Sequence, residues 1–287
     1  TQGVSSAASD VYKRQITELL SELVEIPSIS SLDENQKDVL DSANYIADLF
    51  KGLGLNSKVT SSKNSKPAVL AQTEIDPSKQ TVLLYAHHDV QPVGDINKWA
   101  TDPFTLTKKN DFLYGRGSVD MKGFLACAMA SVPTFQSLNL KKPIHLAFTF
   151  DEETGGFGMP VLLKSLKLEK ICPEIIIVGE PTEMNIVTSH KGGDEMRTEI
   201  TGFEVHSCNP SRGVSAISAA MKIISKIEEI GNRLANNPYK NSPFEPPYGT
   251  FNVGTIEGGA ARNATAGWCN FDWEFRPMPG EDNVPII

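Results

Sequence analysis

The segment TVLLYAHHDVQP (81–92) decides the reading, because a mostly apolar run of strand type ends there in two imidazoles and a carboxylate. The same order recurs downstream in IHLAFTFDEETGG (144–156) and EIIIVGEPTE (174–183). A further acid, Asp120 in YGRGSVDMKG (114–123), stands directly before a helical run. Strands of this kind deliver their last residues to one edge of a sheet. Carboxylates and imidazoles gathered at such an edge are what a hydrolytic divalent-metal site needs.

The surrounding sequence predicts an α/β fold with a mixed, largely parallel sheet. Residues 16–30, ITELLSELVEIPSIS, place leucines at helical spacing before a proline stop, and residues 41–50 and 121–135 read as two more helices. Short β-rich runs alternate with helical ones between residues 51 and 150. After Pro181 the texture changes to a strand near 195–201, a helix over 214–234, a Pro/Asn-rich loop over 236–247 and strands near 251–256 and 270–276. That order predicts a smaller α+β domain inserted into the first. The expected organisation is a catalytic metal-binding domain over 16–186, an inserted domain over 187–278 and a return to the first domain at 279–287. DVYKRQ (10–15) matches one frame of a common transposase-adapter sequence and no starting Met is present, so residues 1–15 are expected to be read-through. The ending NVPII is expected to be a truncation.

Composition narrows the function classes. The chain has 287 residues, 40% hydrophobic and 22% charged, which is globular and long enough for two domains. With 27 basic against 35 acidic residues and no basic block, a broad nucleic-acid-binding surface is disfavoured and a small-molecule substrate is expected. Cys127, Cys172, Cys208 and Cys269 form no CxxC pair, so neither a thiolate zinc site nor a disulfide framework is indicated. They are expected to be reduced core thiols in a cytoplasmic protein. No stretch approaches the roughly 18 apolar residues of a membrane span, and no signal peptide is recognisable.

Each candidate residue also has an ordinary explanation. A His beside an Asp is common on any surface, yet here His87 ends a buried-type strand, and Asp89, on the same face, would accept its other ring N–H. His88 points the other way and reads as a wall residue. Asp120 could be a plain N-cap. Gly115, Gly117 and Gly123 around it allow close backbone approach, which a plain cap does not require, and a carboxylate there could bridge two metal ions. Glu152 and Glu153, as adjacent acids at a strand end, would point to opposite sides, one binding metal and the other free as a general base. Glu180, between Gly and Pro, is alone a routine turn acid, and its weight comes from its place in the series.

Taken together, HxDV, GRGxxDMKG, DEE and GEPT resemble the dinuclear-zinc amidohydrolase family that includes acetylornithine deacetylase, succinyl-diaminopimelate desuccinylase, aminoacylases and related carboxypeptidases. The resemblance spans residues 16–282. Within the family, SHKGG (189–193), VHSCNPSRGVSAI (205–217), YGTFNVGTIEGGAARN (248–263) and FRPMPGE (275–281) look most like the acetylornithine deacetylases. The resemblance implies that Asp120 bridges two zinc ions, that His87 and Glu180 complete one site and Glu153 the other, and that Glu152 is the general base with Asp89 orienting His87. Cobalt is an alternative metal. It further implies that His206 reaches into the site of a partner subunit and stabilises an oxyanion, that Asn263 and Arg276 hold the substrate carboxylate, and that the inserted domain forms a homodimer interface. The implied reaction is hydrolysis of an N-acyl amino acid, with N-acetylornithine as the expected substrate. Two departures stand out: the family's C-terminal histidine ligand has no counterpart, and Ala86 and His88 replace the usual Gly and small or polar residue.

Overall fold

The structure, a computed structural model, describes residues 6–62, 65–72 and 80–280. The chain divides into two compact units, Thr1–Met184 and Asn185–Ile287.

The first unit opens with helix α1 (Ser6–Glu25), followed by α2 (Gln36–Gly52). Helix α1 starts well before the leucine periodicity. Lys, Arg and Gln at positions 13–15 are good helix formers that let the helix run on, and the Tyr12 hydroxyl lies 2.7 Å from Ser131 Oγ. The stretch expected to be read-through is therefore partly helical and packed. Strands β1 (Asn56–Ser62), β2 (Ser65–Gln72) and β3 (Thr81–His87) follow, then a short hairpin of β4 (Thr107–Lys109) and β5 (Phe112–Tyr114). Helix α3 (Lys122–Ser137), β6 (Ile144–Thr149), α4 (Met159–Leu168) and β7 (Pro173–Val178) complete the unit.

The sheet order is β1-β2-β6-β3-β7. Strands β6, β3 and β7 are mutually parallel, whereas β1 and β2 run antiparallel, so the sheet is mixed. Alternate residues face opposite layers. Val69, Ala71, Ala86, Leu146 and Phe148 pack with α1, α2 and α3, while Ala68, Leu70, Leu83 and Ala147 pack with Leu162 and Leu166 of α4. Burial on both faces explains why the parallel strands read as continuous apolar runs rather than alternating ones. Strand β7 departs from this: it lies at the sheet edge with Ile175, Ile176, Ile177 and Val178 all exposed.

The second unit holds β8 (Asp194–Thr201), α5 (Ala216–Ala235), β9 (Thr250–Gly258) and β10 (Trp268–Arg276). Its antiparallel sheet has the order β8-β10-β9, and α5 covers one face through Ala216, Ala220 and Ile227 against Cys269 and Phe271. The Ser215 side chain accepts from the Ser218 amide and starts the helix as an N-cap. All four cysteines are free, but only Cys269 is buried. The expectation of core thiols thus fails for Cys127, Cys172 and Cys208, which are exposed. Among the described residues no helix is long and apolar enough to cross a membrane.

Candidate metal centre

The parallel trio fixes the site. Strand β3 lies between β6 and β7, with His87 level with Thr149 and Tyr85 level with Val178. The residues that follow each strand therefore emerge side by side at the carboxyl edge, where ligands bind in open α/β sheets. His87 is the last residue of β3, Glu152 and Glu153 lie just beyond β6, and Glu180 lies just beyond β7.

The side chains converge. One ligand atom each from His87, Asp120 and Glu153 lies within 4.8 Å of the other two. His87 Nε2 is 3.1 Å from Asp120 Oδ1, 3.7 Å from Glu180 Oε1 and 3.9 Å from Glu152 Oε2. His87 is buried, while Asp120, Glu152 and Glu180 keep part of their surface open. Glu153 Oε2 also accepts from Gln91 Nε2 at 2.9 Å, a contact without a sequence signal.

One ordinary explanation falls and two sequence-derived expectations change. Asp120 is not a helix cap, since Met121 holds that position and no side chain caps α3. Gly117 just upstream has φ of +77°, and a Cβ there would fall 2.5 Å from Val90 Cγ1. Only glycine permits the backbone to pass so close. Glu152 and Glu153 do not splay to opposite sides of a strand. Strand β6 ends at Thr149, and the pair stands on a 3-10 turn, Glu152–Thr154, so both carboxyls are near enough to feel the His87 charge. The Asp89 reading also changes: His87 Nδ1 lies 3.0 Å from the Asp89 backbone oxygen, while the Asp89 carboxylate is 3.5 Å away. The carboxylate instead accepts the amides of Glu152 and Glu153, at 3.2 and 3.0 Å.

His88 is buried and turned from the centre, its Nδ1 against the Ser42 hydroxyl and its ring against Phe150. Burial holds its pKa well down, so it stays neutral. Glu180 is placed by Gly179, where a Cβ would lie 2.1 Å from the Phe124 ring of α3.

The electrostatics suit a cation. Burial pulls the His87 imidazole down, but the hydrogen bond to Asp120 and the nearby carboxylates of Asp89 and Glu152 push it up to about 11. Burial raises Glu152, Glu153 and Glu180, while the hydrogen bond from His87 lowers Asp120. Carboxylates thus surround one imidazole, and a divalent ion would neutralise them better than a single proton does. Bonds of about 2.0–2.2 Å to His and carboxylate ligands place ligand atoms around one ion at separations comparable with those seen. The residues fit a divalent metal centre.

The other candidates lie in the second unit. His206 is exposed and bridges Ala264, and its Nδ1 accepts the Cys208 amide at 3.2 Å. The adjoining Asn263 carbonyl accepts the Ser207 amide at 2.8 Å, so His206 and Asn263 are neighbours. Arg276 donates through Nε and Nη2 to Glu274 Oε2 at 3.1 and 2.9 Å, which occupies one edge of its guanidinium with an internal acid.

Comparison with known proteins follows the same lines. Residues 83–265 match the sequence profile described as "Peptidase family M20/M25/M40". An acetylornithine deacetylase of Pectobacterium carotovorum subsp. carotovorum (strain PC1) is 35% identical over 268 residues, covering 92% of this chain and 68% of that protein. Among solved structures, the M20 family metallo-carboxypeptidase Sso-CP2 from Sulfolobus solfataricus superposes with a TM-score of 0.75 at 22% identity, covering 95% of this chain and 73% of that one. The dipeptidase Dug1p from Saccharomyces cerevisiae gives 0.74 at 21% identity, covering 96% and 72%. The Bacillus subtilis YXEP protein, described as a dinuclear metal-binding peptidase, gives 0.57 at 14%, covering 96% and 67%.

Proposed function

The chain belongs to peptidase family M20/M25/M40 as a metal-dependent amidohydrolase, and from that footing we propose that it hydrolyses the amide bond of an N-acyl amino acid, N-acetylornithine in the first instance. The convergence of His87, Asp120 and Glu153 within 4.8 Å carries the hydrolytic part of this reading. The 35% identity to acetylornithine deacetylases supports the substrate.

In this reading His87, Asp120, Glu153 and Glu180 would hold two zinc ions, His87 and Glu180 serving one, Glu153 the other and Asp120 both. When bound, such a pair supplies concentrated positive charge that polarises the amide carbonyl and acidifies water. Glu152 takes a proton from the attacking water at its carboxylate and returns it to the leaving amine. Its pKa, raised by burial, suits a group that must both accept and donate near neutral pH. Asp89 holds the turn carrying Glu152 and Glu153 by both amides. His206 donates to the developing oxyanion, and Asn263 and Arg276 receive the substrate carboxylate, for which a planar guanidinium provides paired donors. Arg276 would have to exchange or share its Glu274 contact on binding. A homodimer through residues 187–278 would bring His206 to a neighbouring subunit's substrate.

The test compares N-acetylornithine, N-succinyl-diaminopimelate and dipeptides as substrates, with Glu152→Ala alongside. Glu152→Ala should retain bound zinc and lose turnover by at least about 100-fold. Substantial remaining activity would remove Glu152 as the base. Faster cleavage of a dipeptide would replace the substrate assignment and leave the metal centre intact.

A further inference from the structure

Asp89 has no exposed surface, and its carboxylate accepts three hydrogen bonds, from two separate stretches of chain. Two are the amides of Glu152 and Glu153, and His87 Nδ1 lies 3.5 Å from Oδ1. The remaining donor is the hydroxyl of Ser30, 2.6 Å from Oδ2 and itself only 3% exposed.

Ser30 is held there by its own segment. Ile29 forms a parallel bridge with Val90, the Val90 amide donates to Ser28 O at 3.0 Å, and Ser28 Oγ donates to His88 O at 2.7 Å. Just upstream, the buried ammonium of Lys122 donates to the carbonyls of Leu23 and Ile26, both at 2.8 Å. Residues 23–30 thus tie the loop of His87 to the loop of Asp120 while supplying no ligand of their own.

We propose that Ser30 is a positioning residue of the metal centre. The χ2 torsion of an aspartate is broad and sets no orientation by itself, so the plane of the Asp89 carboxylate is decided by its donors. Ser30 fixes Oδ2, and the fixed plane in turn holds the amides of Glu152 and Glu153, which place one proposed ligand and the proposed base. Without the hydroxyl, Oδ2 keeps the Glu153 amide alone, and the turn over Glu152–Thr154 gains freedom to shift away from His87 and Asp120. The inference rests on the metal-centre reading and is independent of the substrate.

The test measures zinc affinity by competition with a chromophoric chelator, together with the melting temperature of the metal-free protein, for the full chain and for Ser30→Ala, Ser30→Cys and Ser28→Ala. Loss of groups that orient ligands typically weakens metal binding about 10–100-fold, and Ser30→Ala should fall by about tenfold, at the lower end of that range. Ser30→Cys, with a weak donor, should lie between Ser30→Ala and the unaltered chain. Ser28→Ala loses a buried hydroxyl bond of the same kind to a backbone carbonyl while the Ile29–Val90 bridge and the Val90 amide still hold Ser30 in place, so it should match the melting loss but change zinc affinity by less than about threefold, below the range for an orienting partner. Equal zinc losses in Ser28→Ala and Ser30→Ala would reduce the effect to general loosening and overturn the proposal. So would unaltered affinity in Ser30→Ala or, if that variant does not fold, in Ser30→Cys. An unaltered chain that binds no zinc would instead bring down the metal-centre reading itself.

Discussion

Lys122 stands two residues beyond Asp120 with no exposed surface, and burial pulls its pKa down to about 7. Its two acceptors are carbonyls at the end of α1, which lack intrahelical partners. Lys122→Met keeps much of the volume and removes the donor, so it should lower stability by about 1–3 kcal/mol in urea titration near pH 8, the cost of losing the donor to the Leu23 carbonyl, while Ile26 O keeps the Ser28 amide. Between about pH 7 and the ordinary lysine value of 10.5 the unfolded chain binds the proton that the folded chain does not, so this group makes stability rise with pH there. That part of the rise should be missing from Lys122→Met, and an identical slope would refute the assignment. At this scale the sequence is legible where chemistry is contiguous. His87, Asp120 and Glu153 stand out because acids and imidazole follow apolar runs. Ser30 and Lys122 do not, since a serine in a short loop segment and a lysine entering a helix have no pattern that reports partners 59 and 96 residues away.

Among the elements, the turn after β7 depends on how closely α3 approaches it. A Cβ at Gly179 would lie 2.1 Å from the Phe124 ring, so Gly179→Ala must displace either the ring or the turn bearing Glu180. Overpacking of this kind costs about 1–3 kcal/mol, readable as a lowered melting temperature. Adding Phe124→Ala should recover part of the loss, because contacting residues couple. Strictly additive losses would show that the two do not meet. Strands β3 and β6 and helix α3 are readable from sequence because strands buried on both faces are continuously apolar and the helix follows a Gly-rich turn, while β7 is equally apolar yet exposed. The 3-10 turn over Glu152–Thr154 is not readable, because a short acidic stretch after a strand has no periodicity to separate strand from turn. Strand β1, NSKVTSS, is likewise hidden by its half-exposed polar sequence.

For the whole molecule, a ligand that binds only the folded chain raises stability by mass action. Zinc at 100 times its dissociation constant should add about 2.7 kcal/mol, seen as a higher melting temperature that a chelator reverses. No shift with added zinc, cobalt or manganese would count against a metal centre. The division between the two units follows Met184, and the change in texture, where helices stop alternating with strands, lies after Pro181. The sheet of the first unit ends differently on its two sides. Strand β1, at one edge, is mostly polar, with Asn56, Ser61 and Ser62 exposed, the kind of polar rim that discourages further pairing. Strand β7 offers three isoleucines and a valine beside unpaired amides, a short uncharged stretch with high β-propensity. Its consequence is colloidal rather than catalytic: concentrated solutions of this chain should grow light-scattering particles with a lag that shortens as concentration rises. One gatekeeper charge, Ile176→Lys, should lengthen that lag while leaving the zinc-dependent melting shift in place.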